Sequence, residues 1–218
     1  IFTSGGTESI NMALKGAAEA LKRTGKHIIT TPVEHDAALE SLKALSGIGY
    51  DVEYLSVDEY GHISLDELND KIREDTILVN IMAVNNELGT IEPVEEAAHI
   101  IKSRNKRTLF HVDAVQAYGK IPINVRDLDA DFISFSSHKI HGPKGVGMLY
   151  MRKGTRLHPI ISGGGHERKL RSGTVNVPGI AGFGLAASMK IERMEEDSKI
   201  CSKVRQLLLD NLEKSLGL

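Results

Sequence analysis

The sequence predicts an α/β domain built on a mostly parallel sheet, and two observations carry that prediction. Short, β-rich apolar runs alternate with helix-patterned segments through the first half of the chain, the signature of successive βαβ units. The chain has 218 residues, 41% of them hydrophobic, with no apolar run approaching a membrane span, which suits one sizeable buried core.

The elements follow in order. Ile1-Phe2-Thr3 reads as the tail of a strand without an initiator Met, so the chain is expected to be a piece of a longer polypeptide, and its targeting signals are not legible. Ser9–Leu21, Ala37–Leu45, Leu65–Ile72 and Val94–Ser103 carry apolar residues at three- and four-residue steps, as helices packed on a sheet do. Ser64 ahead of Leu65-Asp66-Glu67 opens a capping box. Between and after these helices lie the expected strands His27–Thr30, Val52–Leu55, Thr76–Met82, Thr108–Asp113, Asp131–Ser136 and Gly147–Met151. From Gly179 onward a small-residue stretch passes into a charged amphipathic run. The expected organisation is a large domain over residues 1–190, then a long helix over 191–218 leading toward a further, smaller domain.

Composition narrows the function. Lys and Arg number 27 against 29 Asp and Glu, a net charge of −2, which gives no electrostatic reason to expect nucleic acid. A small-molecule substrate fits better. Cys201 is the single cysteine, which excludes an intrachain disulfide and a multi-cysteine zinc site and suits a reducing, cytoplasmic setting.

Open α/β sheets bind ligands beyond the carboxyl ends of their strands, so polar residues just after each strand come first. The strand Asp131–Ser136 runs into Ser136-Ser137-His138-Lys139. A lysine there is either a solvated loop residue or a Schiff-base amine, activated by partial desolvation or nearby positive charge. Upstream, His111-Val112-Asp113-Ala114-Val115-Gln116 places an acid at the end of another apolar strand. Asp113 is either a cap or surface carboxylate, or the partner of a pyridinium nitrogen whose proton it would retain. A third segment, Ser4-Gly5-Gly6-Thr7-Glu8-Ser9, opens the first helix, where glycines and the helix dipole suit an anion such as phosphate. It lacks the Gly-Lys-Ser/Thr ending of a Walker loop, and such turns are common in proteins that bind nothing.

His111 with Asp113, His138 with His141, and His166 with Glu167 invite a metal reading. It is set aside because the pairs lie on separate segments and none offers a third ligand at helical spacing. No Gly-x-Ser-x-Gly elbow supports a serine hydrolase.

Taken together, Thr3–Ser9, Glu34-His35, Val84-Asn85-Asn86-Glu87-Leu88-Gly89, His111–Gln116, Ser134–Lys139 and Gly163–Thr174 resemble the cysteine desulfurases of the NifS/IscS type, in order from residue 1 to about residue 190. The resemblance implies an aspartate-aminotransferase-like, fold-type I large domain that binds pyridoxal 5'-phosphate and forms a homodimer. It implies that Lys139 carries the cofactor, that His35 stacks on its ring and moves protons, and that Asp113 pairs with the ring nitrogen. Gln116 would reach the ring hydroxyl and Asn86 would lie beside the cofactor. Thr7, Ser136 and His138 would hold the phosphate, with Gly6 and Ser137 beside them, and Thr174 would reach the neighbouring subunit's phosphate. Many relatives have glycine where Ser137 stands.

The implied reaction converts L-cysteine to L-alanine, passing sulfur through an enzyme persulfide to an acceptor such as an iron–sulfur scaffold protein. The persulfide cysteine and the substrate-carboxylate arginine are expected outside this chain, since Cys201 sits in a helix rather than on a mobile loop. The alternatives are another enzyme of the same fold, such as an aminotransferase or a selenocysteine or cysteine sulfinate lyase, and a cofactor-free scaffold.

Overall fold

In the computed structural model, which describes residues 1–217, one seven-stranded sheet organises the chain. The strands are β1 (Phe2–Thr3), β2 (His27–Thr30), β3 (Asp51–Tyr54), β4 (Thr76–Met82), β5 (Leu109–Asp113), β6 (Phe132–Ser136) and β7 (Gly147–Met151). The helices are α1 (Gly6–Leu21), α2 (Asp36–Ser46), α3 (Leu65–Lys71), α4 (Val94–Arg104) and α5 (Val177–Leu216). The strand order is β1-β7-β6-β5-β4-β2-β3.

The five strands from β6 to β3 run parallel, whereas β7 lies antiparallel to both β6 and β1. Burial explains the middle of the sheet. Every residue of β4 is buried, as expected for a central parallel strand covered on both faces. Ser64 Oγ accepts the Glu67 N–H at 3.2 Å, so the capping box forms.

Two apolar cores flank the sheet. Ile10, Leu14, Ala18, Leu42 and Leu45 from α1 and α2 pack with Ile28 and Leu78 on one side. On the other, Leu68, Ala97 and Ile101 from α3 and α4 pack with Val79, Ile81 and Val112. The carboxyl ends of β2, β4, β5 and β6 therefore open at one edge, between the two layers.

α5 is 40 residues long, about 60 Å at the helical rise. Asn176 caps it by accepting the Gly179 N–H at 3.1 Å, and Phe183 anchors it edge-on against Tyr118. Beyond Lys190, which pairs with Asp197, the helix leaves Ile200, Val204, Leu207, Leu208 and Leu212 exposed. Among the described residues no helix is long and apolar enough to cross a membrane.

Candidate active site

The strand ends converge on a cavity of about 140 Å³ lined by Gly6, Thr7, Ile10, His35, Met82, Asn86, Asp113, Val115, Gln116, Ser136, His138 and Lys139. Each side chain is placed by a local device.

Lys139 stands in a 3₁₀ turn, Ser137–Ile140, that follows β6 directly. The buried Ile140 pins the turn to the core, and His141 closes it in the left-handed region at φ 65°. Gly142 follows because any Cβ there would lie 2.2 Å from Ser137 Oγ. This leaves the lysine half-buried and lining the cavity. Ser136 Oγ and His138 Nδ1 lie 2.9 Å apart. Partial burial, then the charges of Lys139 and Lys144, pull His138 below its ordinary value, so it favours the neutral form.

Asp113 ends β5 and is almost wholly buried. Its Oδ1 accepts the Val115 N–H at 2.9 Å. Burial pushes the carboxyl up to about 6, against the opposing pull of that N–H and of the charges of His35 and Lys139. A cation beside it would restore full ionisation.

Beneath Asp113 runs a buried polar chain. Asn80 Nδ2 donates to Thr30 Oγ1 at 3.0 Å, which turns Asn80 Oδ1 toward His111 Nδ1 at 2.6 Å. Nδ1 therefore carries the proton, and Nε2 accepts from the Ser134 hydroxyl at 2.8 Å. Burial lowers His111 to about 3, so it stays neutral. The chain ties β2, β4, β5 and β6 together one layer below the cavity floor.

His35 caps α2, its Nδ1 accepting the Ala37 N–H at 3.0 Å. Nδ1 is thus occupied, and Nε2 is left for other partners. The preceding Glu34 is buried, and its Oε1 accepts from Thr31 Oγ1 at 3.0 Å and from the Met82 N–H at 2.8 Å. Burial pushes Glu34 up to about 8, so it is protonated at neutral pH. Asn85 Nδ2 donates to the Val33 carbonyl at 2.8 Å while its Oδ1 accepts the Glu87 and Leu88 N–H groups. That turn sets Asn86 at the cavity edge.

The first backbone bond of α1 runs from the Ser9 N–H to the Gly5 carbonyl at 3.1 Å, leaving the N–H groups of Gly6, Thr7 and Glu8 ahead of it. Gly5 enters the helix at φ 156° and ψ −177°, a conformation essentially restricted to glycine. At Gly6 an added Cβ would meet Val115 Cγ2 at 2.9 Å.

Of the residues expected from the sequence, Gly6, Thr7, His35, Asn86, Asp113, Gln116, Ser136, His138 and Lys139 share the cavity. Ser137 does not: its Oγ is buried against Gly142 with no hydrogen-bond partner, facing away from Lys139's cleft. Thr174 is exposed and lines a separate cleft with Phe2, Ser4 and Arg171. Cys201 is a free, exposed thiol on α5. Among the described residues no three His, Cys, Asp or Glu side chains converge as a metal site. Sequence reasoning missed Lys120, whose Nζ donates to Gln116 Oε1 at 2.6 Å. No spacing rule signals it, because residues 115–120 form a run of turns rather than a helix. It also missed the burial of Glu34, which no local pattern encodes.

Known proteins resemble this chain in sequence and fold. A cysteine desulfurase IscS from Dictyoglomus turgidum is 49% identical over 217 residues, covering 100% of this chain and 55% of that protein. A solved NifS-like protein superposes with a TM-score of 0.96 at 52% identity, over 98% of this chain and 59% of its own. The structure titled "SspA in complex with cysteine" superposes with a TM-score of 0.81 at 42% identity, over 86% of this chain and 54% of its own. The chain spans about half the length of the curated relatives it matches. Its mostly parallel sheet between helix layers is the large-domain architecture of fold-type I pyridoxal-phosphate enzymes. The aminotransferase class-V profile matches residues 1–218, and the chain belongs to that family.

Proposed function

We propose that this chain is the cofactor-binding large domain of a cysteine desulfurase that converts L-cysteine to L-alanine. Family membership implies a pyridoxal phosphate cofactor. The observation that carries the reading is the shared cavity of Lys139 and Asp113, with hydroxyl, imidazole and helix N–H donors around it.

The residues fit that cofactor. Asp113 is a buried acid with an unmet need for positive charge, as a pyridinium nitrogen would supply. Thr7, Ser136, His138 and the open N–H groups of α1 form a donor set suited to phosphate, and Gly6 keeps the approach free of a side chain. Gln116 spends its Oε1 on Lys120, so its amide N–H groups remain for the ring hydroxyl.

Pyridoxal phosphate supplies an electron-accepting ring that stabilises negative charge at the α-carbon of a bound amino acid. Lys139 would supply the amine that holds the cofactor aldehyde, and the same amine is the base placed to accept an α-proton. Asp113 would pair with the ring nitrogen and hold a proton there. His35, with Nδ1 engaged by the Ala37 N–H, would lie beside the ring with Nε2 available to move a proton. Ser137, buried beside Gly142, shapes the turn from outside the cavity lining.

On this reading the large domain runs over residues 1–190, so its boundary falls within α5 (Val177–Leu216), whose remainder leads to a smaller domain. Thr174, outside this chain's own cavity, serves the neighbouring subunit's phosphate in a homodimer. Cys201, an exposed thiol within α5, is not on a mobile loop, and the persulfide cysteine that hands sulfur to an acceptor such as an iron–sulfur scaffold lies outside this chain. The similarity to desulfurases and to a protein solved with cysteine supports L-cysteine as substrate. A product assay on the parent-length protein tests this: alanine and sulfide from L-cysteine with only a thiol present support it. A strict requirement for a keto-acid acceptor would instead make the enzyme an aminotransferase.

A further inference from the structure

Glu8 stands in the first turn of α1, immediately after Thr7. A carboxylate there suits the helix dipole, yet its charge opposes any anion bound at the same helix end. A phosphate seat with an acid inside its own helical turn needs that charge answered.

Arg171 answers it. Its Nε donates to Glu8 Oε1 at 2.7 Å and its Nη2 to Oε2 at 3.2 Å, a two-point guanidinium–carboxylate pair. The two side chains are only 18% and 11% exposed. The Ser4 N–H also donates to Oε2, at 2.7 Å, which draws the carboxylate back to the turn before the helix. Burial pushes Glu8 up, and the hydrogen bonds from Arg171 and Ser4 outweigh it, so the carboxyl sits below its ordinary value and is ionised.

The arginine comes from the loop between β7 and α5, which is held onto the same segment at a second point, Phe2 N–H to Glu167 Oε2 at 2.9 Å. That loop carries three successive non-glycine residues in the left-handed region, Glu167, Arg168 and Lys169, at φ 46°, 58° and 66°. Such residues persist only where surrounding bonds hold them. Arg171 itself lines the Thr174 cleft and not the Lys139 cavity, so it acts through Glu8.

We propose that Arg171 is a positioning residue for the phosphate seat: by neutralising Glu8 and holding its carboxylate at the β1–α1 turn, it leaves the N–H groups of Gly6 and Thr7 free to bind a dianionic phosphate ester. The proposal rests on the reading of the cavity as a pyridoxal phosphate site.

The test is equilibrium titration of the chain with pyridoxal phosphate and with pyridoxal, which has the same ring and aldehyde but no phosphate, followed by visible absorbance. Arg171→Met is expected to weaken the phosphate ester about tenfold, as an unanswered charge within one helical turn does, and to leave pyridoxal unchanged. The double variant Glu8→Gln/Arg171→Met should recover most of that loss. Glu8→Gln alone, which keeps the arginine and needs no rescue, should bind the ester at least as tightly as the wild type. Equal weakening of both ligands in Arg171→Met, no recovery in the double variant, or a tenfold loss in Glu8→Gln would each overturn the proposal while sparing the cofactor reading. A wild-type chain that binds the ester no better than pyridoxal would overturn both.

Discussion

Asp113 closes β5 and Lys139 follows the neighbouring β6, and the two side chains enter one cavity close enough for the lysine's charge to favour ionisation of the acid. The pairing matters because it sets an amine beside a buried acid whose ionisation burial opposes. Asp113 is an acid in a dry site, and Lys139 is an amine held partly out of water. A ligand carrying an aldehyde and a protonatable ring nitrogen would satisfy both.

Asp113→Asn separates stability from binding. The buried carboxyl is raised to about 6, so ionising it at pH 8 costs the folded, cofactor-free chain. The variant is expected to unfold later than the wild type at that pH, by on the order of 1 kcal/mol, and to bind pyridoxal phosphate about tenfold more weakly. Urea unfolding and an absorbance titration on the same preparations check this. A variant that loses stability and keeps its affinity would contradict the role given to the acid.

Glu34 sets a pH signature in the cofactor-free protein. Its carboxyl is raised from 4.5 to about 8, so between those values the unfolded chain has released a proton that the folded chain keeps. Stability contributed by this group is therefore fully present below 4.5 and lost as pH climbs toward 8. His111 works the other way: lowered from 6.5 to about 3, it costs stability below 6.5, where the unfolded imidazole takes up a proton. Comparison with Glu34→Gln cancels the other groups. Relative to that variant, the wild type should lose roughly 1.4 kcal/mol per pH unit at most between the two values. Parallel stability curves from pH 5 to pH 8 would show that Glu34 is not a buried acid.

His111→Ala breaks the chain from Thr30 through Asn80 to Ser134 and leaves Asn80 Oδ1 without its donor. The expected cost is about 3 kcal/mol, combining a cavity with unpaired buried polar atoms. Because the chain underlies Asp113, Met82 and Ser136, cofactor affinity should fall as well. Denaturant titration checks the first effect, and a loss under 1 kcal/mol, the ordinary value for a surface change, would contradict the ladder's role.

Much of the frame was legible because buried parallel strands have a simple pattern. Thr76–Met82 is a continuous apolar run broken only by polar residues that pair inside, and its bounds match β4. The direction of β7 was not legible, since apolar patterning records burial and not polarity. Its antiparallel pairing follows from the short connection after β6, which leaves no room for a crossover helix. The helix α1 begins at Gly6 rather than Ser9, and the closeness of Val115 leaves room at Gly6 only for a residue without a Cβ, despite glycine's poor helix propensity. In the site, Lys139 and Asp113 stood out as charged residues at strand ends. Ser137 lies in the same motif, yet the 3₁₀ turn rotates its hydroxyl away from the cavity into the Gly142 contact. The pairing of Glu8 with Arg171 spans 163 positions, and no local spacing signals it.

The most direct measurement is to add pyridoxal phosphate to the chain, reduce with borohydride and map the modified residue by peptide mass spectrometry. The expected result is a visible absorbance band in the wild type and one stable adduct on Lys139, both abolished by Lys139→Ala. An adduct spread over surface lysines such as Lys15, Lys106 and Lys153, unchanged in that variant, would contradict the assignment.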